Sequence, residues 1–497
     1  MSHASHAHAH AHAAPVDLRH AWRALAVLLA GMFIALLDTT IVNVALPTIQ
    51  HSLNGSNDTL SWIISGYALA FGLALIPAGR VGDRIGHKWV FFTGLTLFTI
   101  ASFTCGLAQN DLELISSRAI QGLAGGIFVP AVTALIQLMF PPQSRGRAFA
   151  IMGAVIGVST ALGPIVGGLI IQAFGDENGW RLVFWVNLPI GVVALIAAVI
   201  LLPSRAAKSG RAGMDGLGIL LLAIGLVALL VPLIEGQSRG WPLWTYLTLA
   251  GGAVFIVLFG WWEVAYVKRG KAPLVPPRLF TRPAFTGGTV LALVYFAAFT
   301  SIFFVISILW QIGLGHTALE SGLVSIPFAI GSIVGSSQSN RLAILLGRTV
   351  LVIGVALVAI GLIALWIVLL VVPAVDLNNW ELLGPLLVAG VGNGFFIAPN
   401  AQFIVATVDR ADAGSASGVI SAMQRVGSAI GIAVVSSVLF GTLSISAHTT
   451  AARAIGFAHS SAAAMAVSAG FCVVAFLMVF ALPKRVAGRG GQEPAAE

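Results

Sequence analysis

Apolar runs long enough to cross a bilayer recur along the chain, with short polar punctuation between them. They fall near 24–46, 59–79, 88–108, 112–139, 147–174, 181–202, 214–234, 243–267, 284–311, 318–341, 348–371, 380–401, 414–441 and 461–482. Each reaches the ~20 residues that a helix rising ~1.5 Å per residue needs to span a ~30 Å hydrocarbon core. The pattern predicts fourteen transmembrane helices and an all-α polytopic membrane protein. Within the first run, LLDTTIVNVALP (residues 36 to 47) carries Asp38, Thr39, Thr40 and Asn43. An ionisable group inside a span is costly, so it faces a cavity and has a use. Asp38 and Asn43 are five apart, roughly 140° around a helix, and splay across a polar sector. Two readings stand for Asp38: a structural acid paired with a neighbouring helix, or a proton- or substrate-binding carboxylate.

Loop charges test the count. With the N-terminus inside, the inner segments hold twenty-one of the 26 Lys and Arg. They include Arg80, Arg84 and Lys88; Arg145 and Arg147; Arg205, Lys208 and Arg211; the cations of 268–283; Arg341, Arg348 and Arg410; and Lys484 onward. Only Arg181, Arg239 and Arg453 fall outside, while Arg118 and Arg425 lie within spans. A missed helix would scramble this bias, so both termini are expected in the cytoplasm of a cell-membrane protein. The outer loops are short and acidic, with Asp58, Asp111, Glu113, Asp176, Glu177, Asp376 and Glu381.

Composition agrees: 58% of the 497 residues are hydrophobic, only 9% are charged, and the mean hydropathy is +0.96. Those figures exclude a soluble globular chain. The net charge of +8 follows from the inner loops and needs no nucleic-acid partner. Cys105 and Cys472 sit in apolar runs and imply no disulfide framework. Residues 1–22 form a tail with His3, His6, His8, His10, His12 and His20, read as disordered or as a weak chelator of transition metals. No metal site is expected elsewhere. The sequence has no GxxxxGK[ST], CxxC or HExxH, and its GxSxG string, GQSRG (236–240), falls in a short connection between two apolar runs rather than on the strand-to-helix turn of a nucleophile elbow. An ATP-driven pump, a metalloenzyme or a serine hydrolase is therefore not expected.

The layout also repeats. GRVGDRIGHK (79–88) follows the second span, and SSQSNRLAILLGR (336–348) follows the tenth, with Gly and basic residues at comparable places. Two six-helix units with two helices between them would explain this, and such repeats put a substrate site at their interface. The expected division is 23–204, a first bundle; 205–267, two extra helices; 268–283, a Pro-rich cytoplasmic linker; 284–483, a second bundle; and 484–497, a tail. In the first loop, Gly79, Gly82 and Gly86 allow close helix approach. Asp83 can join an ion-pair cluster with Arg80, Arg84 and Lys88, or face a helix N-terminus.

Residues 79–88 resemble the signature loop of the major facilitator superfamily, with Asp83 at its acidic position and His87 where the family usually has Arg. LISSRAIQG (114–122) is similar to the fourth-helix motif of the drug:proton antiporters, placing the membrane arginine on Arg118. STALGPIVGG (159–168) is similar to their fifth-helix motif on Gly163, Pro164, Gly167 and Gly168. LDTTIVNVALP and WRLVFWVNLPIG (180–191) resemble the first- and sixth-helix motifs of the fourteen-helix branch, and MQRVGSAIG (423–431) extends the match. The resemblance implies the major facilitator fold and proton-coupled export of hydrophobic, often cationic, drugs by alternating access. Asp38 and Arg118 would couple the proton, and Gly79, Asp83, Arg84, Gly86 and Lys88 would latch the halves. The opposing effects of burial and of Arg118 would make the proton on Asp38 depend on conformation.

Candidate cavity residues are Asn43, Tyr67, Gln121, Trp310, Gln311, Asn393, Asn400, Gln424 and Arg425, with Phe33 and Phe396 beside them. Glu263 is expected to snorkel toward the inner surface. No cofactor is expected, only the proton motive force. The partners would be small amphipathic substrates, protons and membrane lipids, with the chain a monomer. Rival readings are export of lipids or of an endogenous metabolite on the same fold, or uptake by proton symport, which the glycine–proline motif disfavours.

Overall fold

The computed structural model describes residues 18–53, 57–203, 215–236, 239–409, 412–445 and 449–483. His3 to His12, the cations Arg205, Lys208, Arg211 and Arg410, and the tail from Lys484 lie outside the described residues, as does the expected boundary at 204–205.

In hydrocarbon every backbone N–H and C=O must be satisfied within its own segment, which forces runs this apolar into helices. The first half comprises α1 (Leu18–Leu53), α2 (Asn57–Ile85), α3 (His87–Leu107), α4 (Asp111–Met139), α5 (Pro142–Trp185) and α6 (Asn187–Leu201). A hairpin of α7 (Gly216–Glu235) and α8 (Leu243–Lys268) follows. The second half comprises α9 (Pro283–Ile308), α10 (Ala318–Leu323), α11 (Ile326–Leu346), α12 (Thr349–Val371), α13 (Asn379–Ala406), α14 (Ala413–Gly441) and α15 (Thr450–Val479). Helix α5 is broken at Gly175 and its last turns belong to the sixth crossing, while α10 and α11 together make the tenth. Fourteen candidate spans result among the described residues, as the apolar pattern predicts. The last begins at Thr450, eleven positions before the expected 461, because AARAIGFAHSS is small and weakly apolar rather than non-helical.

Several helix ends are sealed by side chains whose oxygen takes a free first-turn N–H. Asn110 does this for α4, Asp215 for α7 and Thr449 for α15, and capping boxes at Thr317–Glu320 and Asn378–Glu381 start α10 and α13.

The two halves repeat one packing scheme. α1 lies on α5 and α6, α2 on α4, α3 on α4 and α6; correspondingly α9 lies on α14 and α15, α11 on α13, α12 on α13 and α15. The repeat noticed in the loops extends to a turn: Gly86 (φ 101°) and Gly347 (φ 54°) each end the second crossing of their half in a backbone conformation that a side chain disfavours. Between the halves, α2 and α4 meet α14, while α5 meets α10, α11 and α13. α7 rests on both α2 and α14, and α8 lies outside it. The outer face of α8 exposes Val254, Val257 and Trp261, which suits contact with lipid rather than water.

Candidate functional site

Asp38 lies on α1 with no accessible surface. Four other helices of the first half converge on it. Arg118 of α4 donates through Nη1 to Asp38 Oδ2 at 2.6 Å. Gln121, one turn further along α4, donates to Oδ1 at 2.9 Å. Asn187, at the start of α6, donates to the same oxygen at 3.0 Å and also bonds the hydroxyl of Ser102 on α3. Tyr67 of α2 closes the cluster: its ring lies 4.1 Å from the Arg118 guanidinium carbon, and its hydroxyl donates to the Ala35 carbonyl. Arg118 is bound further by the Gln121 side chain at 2.7 Å and the Ile63 carbonyl at 3.3 Å.

A guanidinium and a carboxylate taken out of water need this degree of satisfaction, because desolvation offsets much of their attraction. The carboxylate receives three donors, one on Oδ2 and two on Oδ1. Of the residues expected at this site, Asp38, Arg118, Gln121 and Tyr67 are brought together. Asn43 is not: it is exposed on another face of α1. Asn187 and Ser102 carry no role in the sequence reading. Their only signal is a polar residue inside an apolar run, and Asn187 lies within the motif WRLVFWVNLPIG.

The glycine–proline stretch of α5 explains how α1 is held. A Cβ at Gly163 would stand 1.9 Å from the hydroxyl of Thr40, and one at Gly167 would stand 2.9 Å from the Ile41 side chain. On its other face α5 meets the second half, where Gly168 abuts Leu319 and Pro164 abuts Gly322. One stretch thus touches the helix of Asp38 and the start of the tenth crossing, in the second half.

At the basic end, Asp83 meets the first turn of α14. Its Oδ1 accepts from the Gly414 N–H at 2.8 Å, and its Oδ2 from the N–H and hydroxyl of Ser415 at 3.0 Å each. This is the helix-terminus alternative, where a negative charge meets free N–H groups and the positive end of the helix dipole. His87 Nε2 stands 3.2 Å from Asp83 Oδ1, and the Gly79 and Gly414 backbones touch, each Cβ position lying 2.1 Å from the other's carbonyl oxygen. Lys88 donates to the Val199 carbonyl at the end of α6, and Arg84 is exposed. The repeat supplies a second contact of the same kind. Asn340–Arg341 corresponds to Asp83–Arg84, and Asn340 packs against Gly146 at the start of α5. Gln137 adds hydrogen bonds from α4 to the Val405 and Val408 carbonyls at 3.2 and 3.3 Å. The halves are interlocked at this end.

In the second half, Asn393 accepts from Tyr295 at 2.8 Å and donates to Ser332 at 2.9 Å, Asn400 donates to the Gly288 carbonyl, and Phe396 stacks on Tyr295. These side chains are buried in that bundle rather than lining an open space. Trp310 is also fully buried and bonds Asn379 at the opposite end of the molecule, while Gln311 donates to Ser307. Gln424 and Arg425 remain partly accessible on α14, as does Phe33 on α1. Glu263 is buried and accepts from the Val275 N–H, so it holds the linker instead of reaching the surface.

Two six-helix bundles with corresponding packing, joined through helix ends and enclosing a buried acid–base pair, define a polytopic secondary-transporter architecture. Comparison with known proteins agrees. A sequence model described as Major Facilitator Superfamily matches residues 28–432 and, in an overlapping match, 291–497. The chain belongs to the major facilitator superfamily and is a transporter, not an enzyme. It is 37% identical over 434 residues to the probable actinorhodin transporter of Streptomyces coelicolor, covering 87% of this chain and 74% of that one. It is 33% identical to the puromycin resistance protein pur8 of Streptomyces alboniger, covering 93% and 91%. Among solved structures, the human organic anion transporter MFSD10 (TETRAN) superposes with a TM-score of 0.66 at 16% identity, over 92% of this chain and 99% of that one. The proton:xylose symporter XylE superposes at 0.61 and 14% identity, over 92% and 95%. At such identities these two establish a shared fold.

Proposed function

We propose that this transporter exports small amphipathic antibiotics or related natural products in exchange for protons, by alternating access. The basic end faces the cytoplasm, as the Lys and Arg of its loops favour. The observation that carries the reading is the fully buried Asp38–Arg118 pair on a helix that α5 connects to the other half. Protonation removes the negative charge and with it the hold on Arg118, Gln121 and Asn187. α1 is then free to shift against Gly163 and Gly167, and α5 passes that shift to Leu319 and Gly322. Release of the Asp83 contact at the opposite end would open the cytoplasmic side. Deprotonation there restores the pair and resets the cycle.

The energy suffices. One proton entering through ~100 mV yields about 2.3 kcal/mol, and each tenfold gradient needs about 1.4, so one proton supports roughly a fiftyfold gradient of a neutral substrate. The names of the relatives, an antibiotic exporter and a resistance protein, support efflux as the direction. The test is accumulation of a set of amphipathic antibiotics with anionic, neutral and cationic members in pump-deficient cells expressing the chain, with and without a protonophore. Accumulation of at least one member is expected to fall about tenfold on expression and to recover fully with the protonophore. Protonophore-insensitive efflux would remove the coupling, and raised accumulation would favour symport. Altered membrane lipid export with unchanged accumulation of every antibiotic would favour a lipid substrate.

A further inference from the structure

Two guanidiniums sit on adjoining aromatic rings of α2, and only one of them has a counter-ion. Arg118 lies over Tyr67 at 4.1 Å and is neutralised by Asp38. Arg425 of α14 lies over Phe71 at 4.0 Å, and the two rings are 5.9 Å apart. Among the described residues Arg425 has no hydrogen bond and no acidic partner; the face of Phe71 is its one polar-type contact. Asp38 is fully buried and engaged by Arg118, Gln121 and Asn187, and no ion pair joins it to Arg425 among the described residues. Among the described residues the acids of the second half lie at helix ends or in connections: Glu320 and Glu381 in first turns, Asp376 between α12 and α13, and Asp409 and Asp412 between α13 and α14.

Arg425 is also placed at depth. It comes twelve residues after the start of α14, about 18 Å along the helix axis and near its middle. It continues the face of α14 that carries Gly414 and Gly418. Those glycines press against Gly79 and Leu75 of α2, and the seam closes there. Arg425 lies about two turns beyond Gly418, and its side chain is partly accessible. Gln424 beside it is partly accessible too, and Ser428 one turn on bonds Thr300 of α9. An uncompensated cation at this depth is expensive, and cation–π contact with one ring offsets only part of the cost. A planar fork of donors beside an aromatic face is suited to a carboxylate or phenolate attached to a flat apolar body.

We propose that Arg425 is the anchoring cation of the transport site and that the substrates are amphipathic aromatic anions rather than cations. This rests on the export reading and names the substrate class for it. Recognition is tested by binding, which needs no proton gradient. The full chain in nanodiscs is titrated with a matched pair, 2-naphthoate and 2-naphthylmethylammonium. The wild type is expected to bind the naphthoate roughly tenfold more tightly. Arg425→Gln removes that preference, and Arg425→Lys, which keeps the charge without the fork, retains part of it. Each variant is checked for an unchanged thermal transition, so that loss of recognition is separated from loss of folding. A wild-type preference for the ammonium, absence of naphthoate binding, or a preference untouched in Arg425→Gln overturns the assignment. Protonophore-insensitive transport with the anion preference intact would sink the proton-coupling reading alone.

Discussion

At the scale of the residue, the acid–base pair is where chemistry and stability meet. Asp38 is held by charge from Arg118 and by two amides, and every one of these partners is itself buried. Removing one member of such a pair leaves the other charge stranded, at about 3–5 kcal/mol. Asp38→Asn is therefore expected to lower the thermal transition of the purified protein and to abolish proton-driven uptake into inverted vesicles. Substrate exchange without a gradient should continue, because the rocking of the halves does not itself consume the proton. Gradient-driven uptake at the wild-type rate in Asp38→Asn would remove Asp38 from coupling. The double variant Asp38→Asn/Arg118→Gln should recover stability without recovering coupling, since no stranded cation remains.

At the scale of the element, glycine faces set how closely the halves approach. Gly79 and Gly414 let α2 and α14 touch through their backbones just where Asp83 reaches the free N–H groups of α14. A methyl at position 414 would stand 2.1 Å from the Gly79 carbonyl oxygen and cannot be accommodated with this end closed. Gly414→Ala should shift the population toward an open basic end, read as a longer distance between spin labels at the exposed positions Ile85 and Ala406. Gly441→Ala on the same helix meets nothing within 4 Å and is the control. Identical distance distributions in Gly414→Ala and wild type would show that this seam does not gate the closure. The hairpin α7–α8 is built differently, with apolar side chains on nearly every face. It packs on α2 and α14 without contributing to the buried pair.

At the scale of the whole molecule, the repeat generates the machine. Corresponding helices make corresponding contacts, so the α2–α14 seam has its counterpart between α11 and α5. The two seams differ in charge: Asp83 fills one and neutral Asn340 the other. The linker after α8 is tied down by ion pairs, Arg278 to Asp412 at 2.6 Å and Arg282 to Asp409 at 2.9 Å. It is thereby anchored to the α13–α14 connection of the second half. Fourteen crossings would bring Leu18 and Pro483 out on one side, and reporter fusions at the two ends are expected both to be active in the cytoplasm. A fusion active outside at either end would require a different count of crossings or the opposite orientation.

The number of helices, their approximate limits and the two-bundle plan were legible in the sequence, because a bilayer imposes one length and one polarity on every span. Asp38, Arg118 and Asp83 were legible too, since a charge inside or beside a span stands out against hydrocarbon. Tertiary structure alone decided what those charges touch. Asn187 reaches Asp38 across 149 positions of chain, and Gly414 reaches Asp83 across 331. An amide in an apolar run looks the same whether it serves a carboxylate, as Asn187 does, or knits a bundle, as Asn393 does. Helix rotation separates the two, and rotation is set by packing that weak amphipathicity cannot encode in a chain apolar on most faces. For the same reason Asn43 parts from Asp38 on one helix, and Arg425 is left without the counter-ion that Arg118 finds.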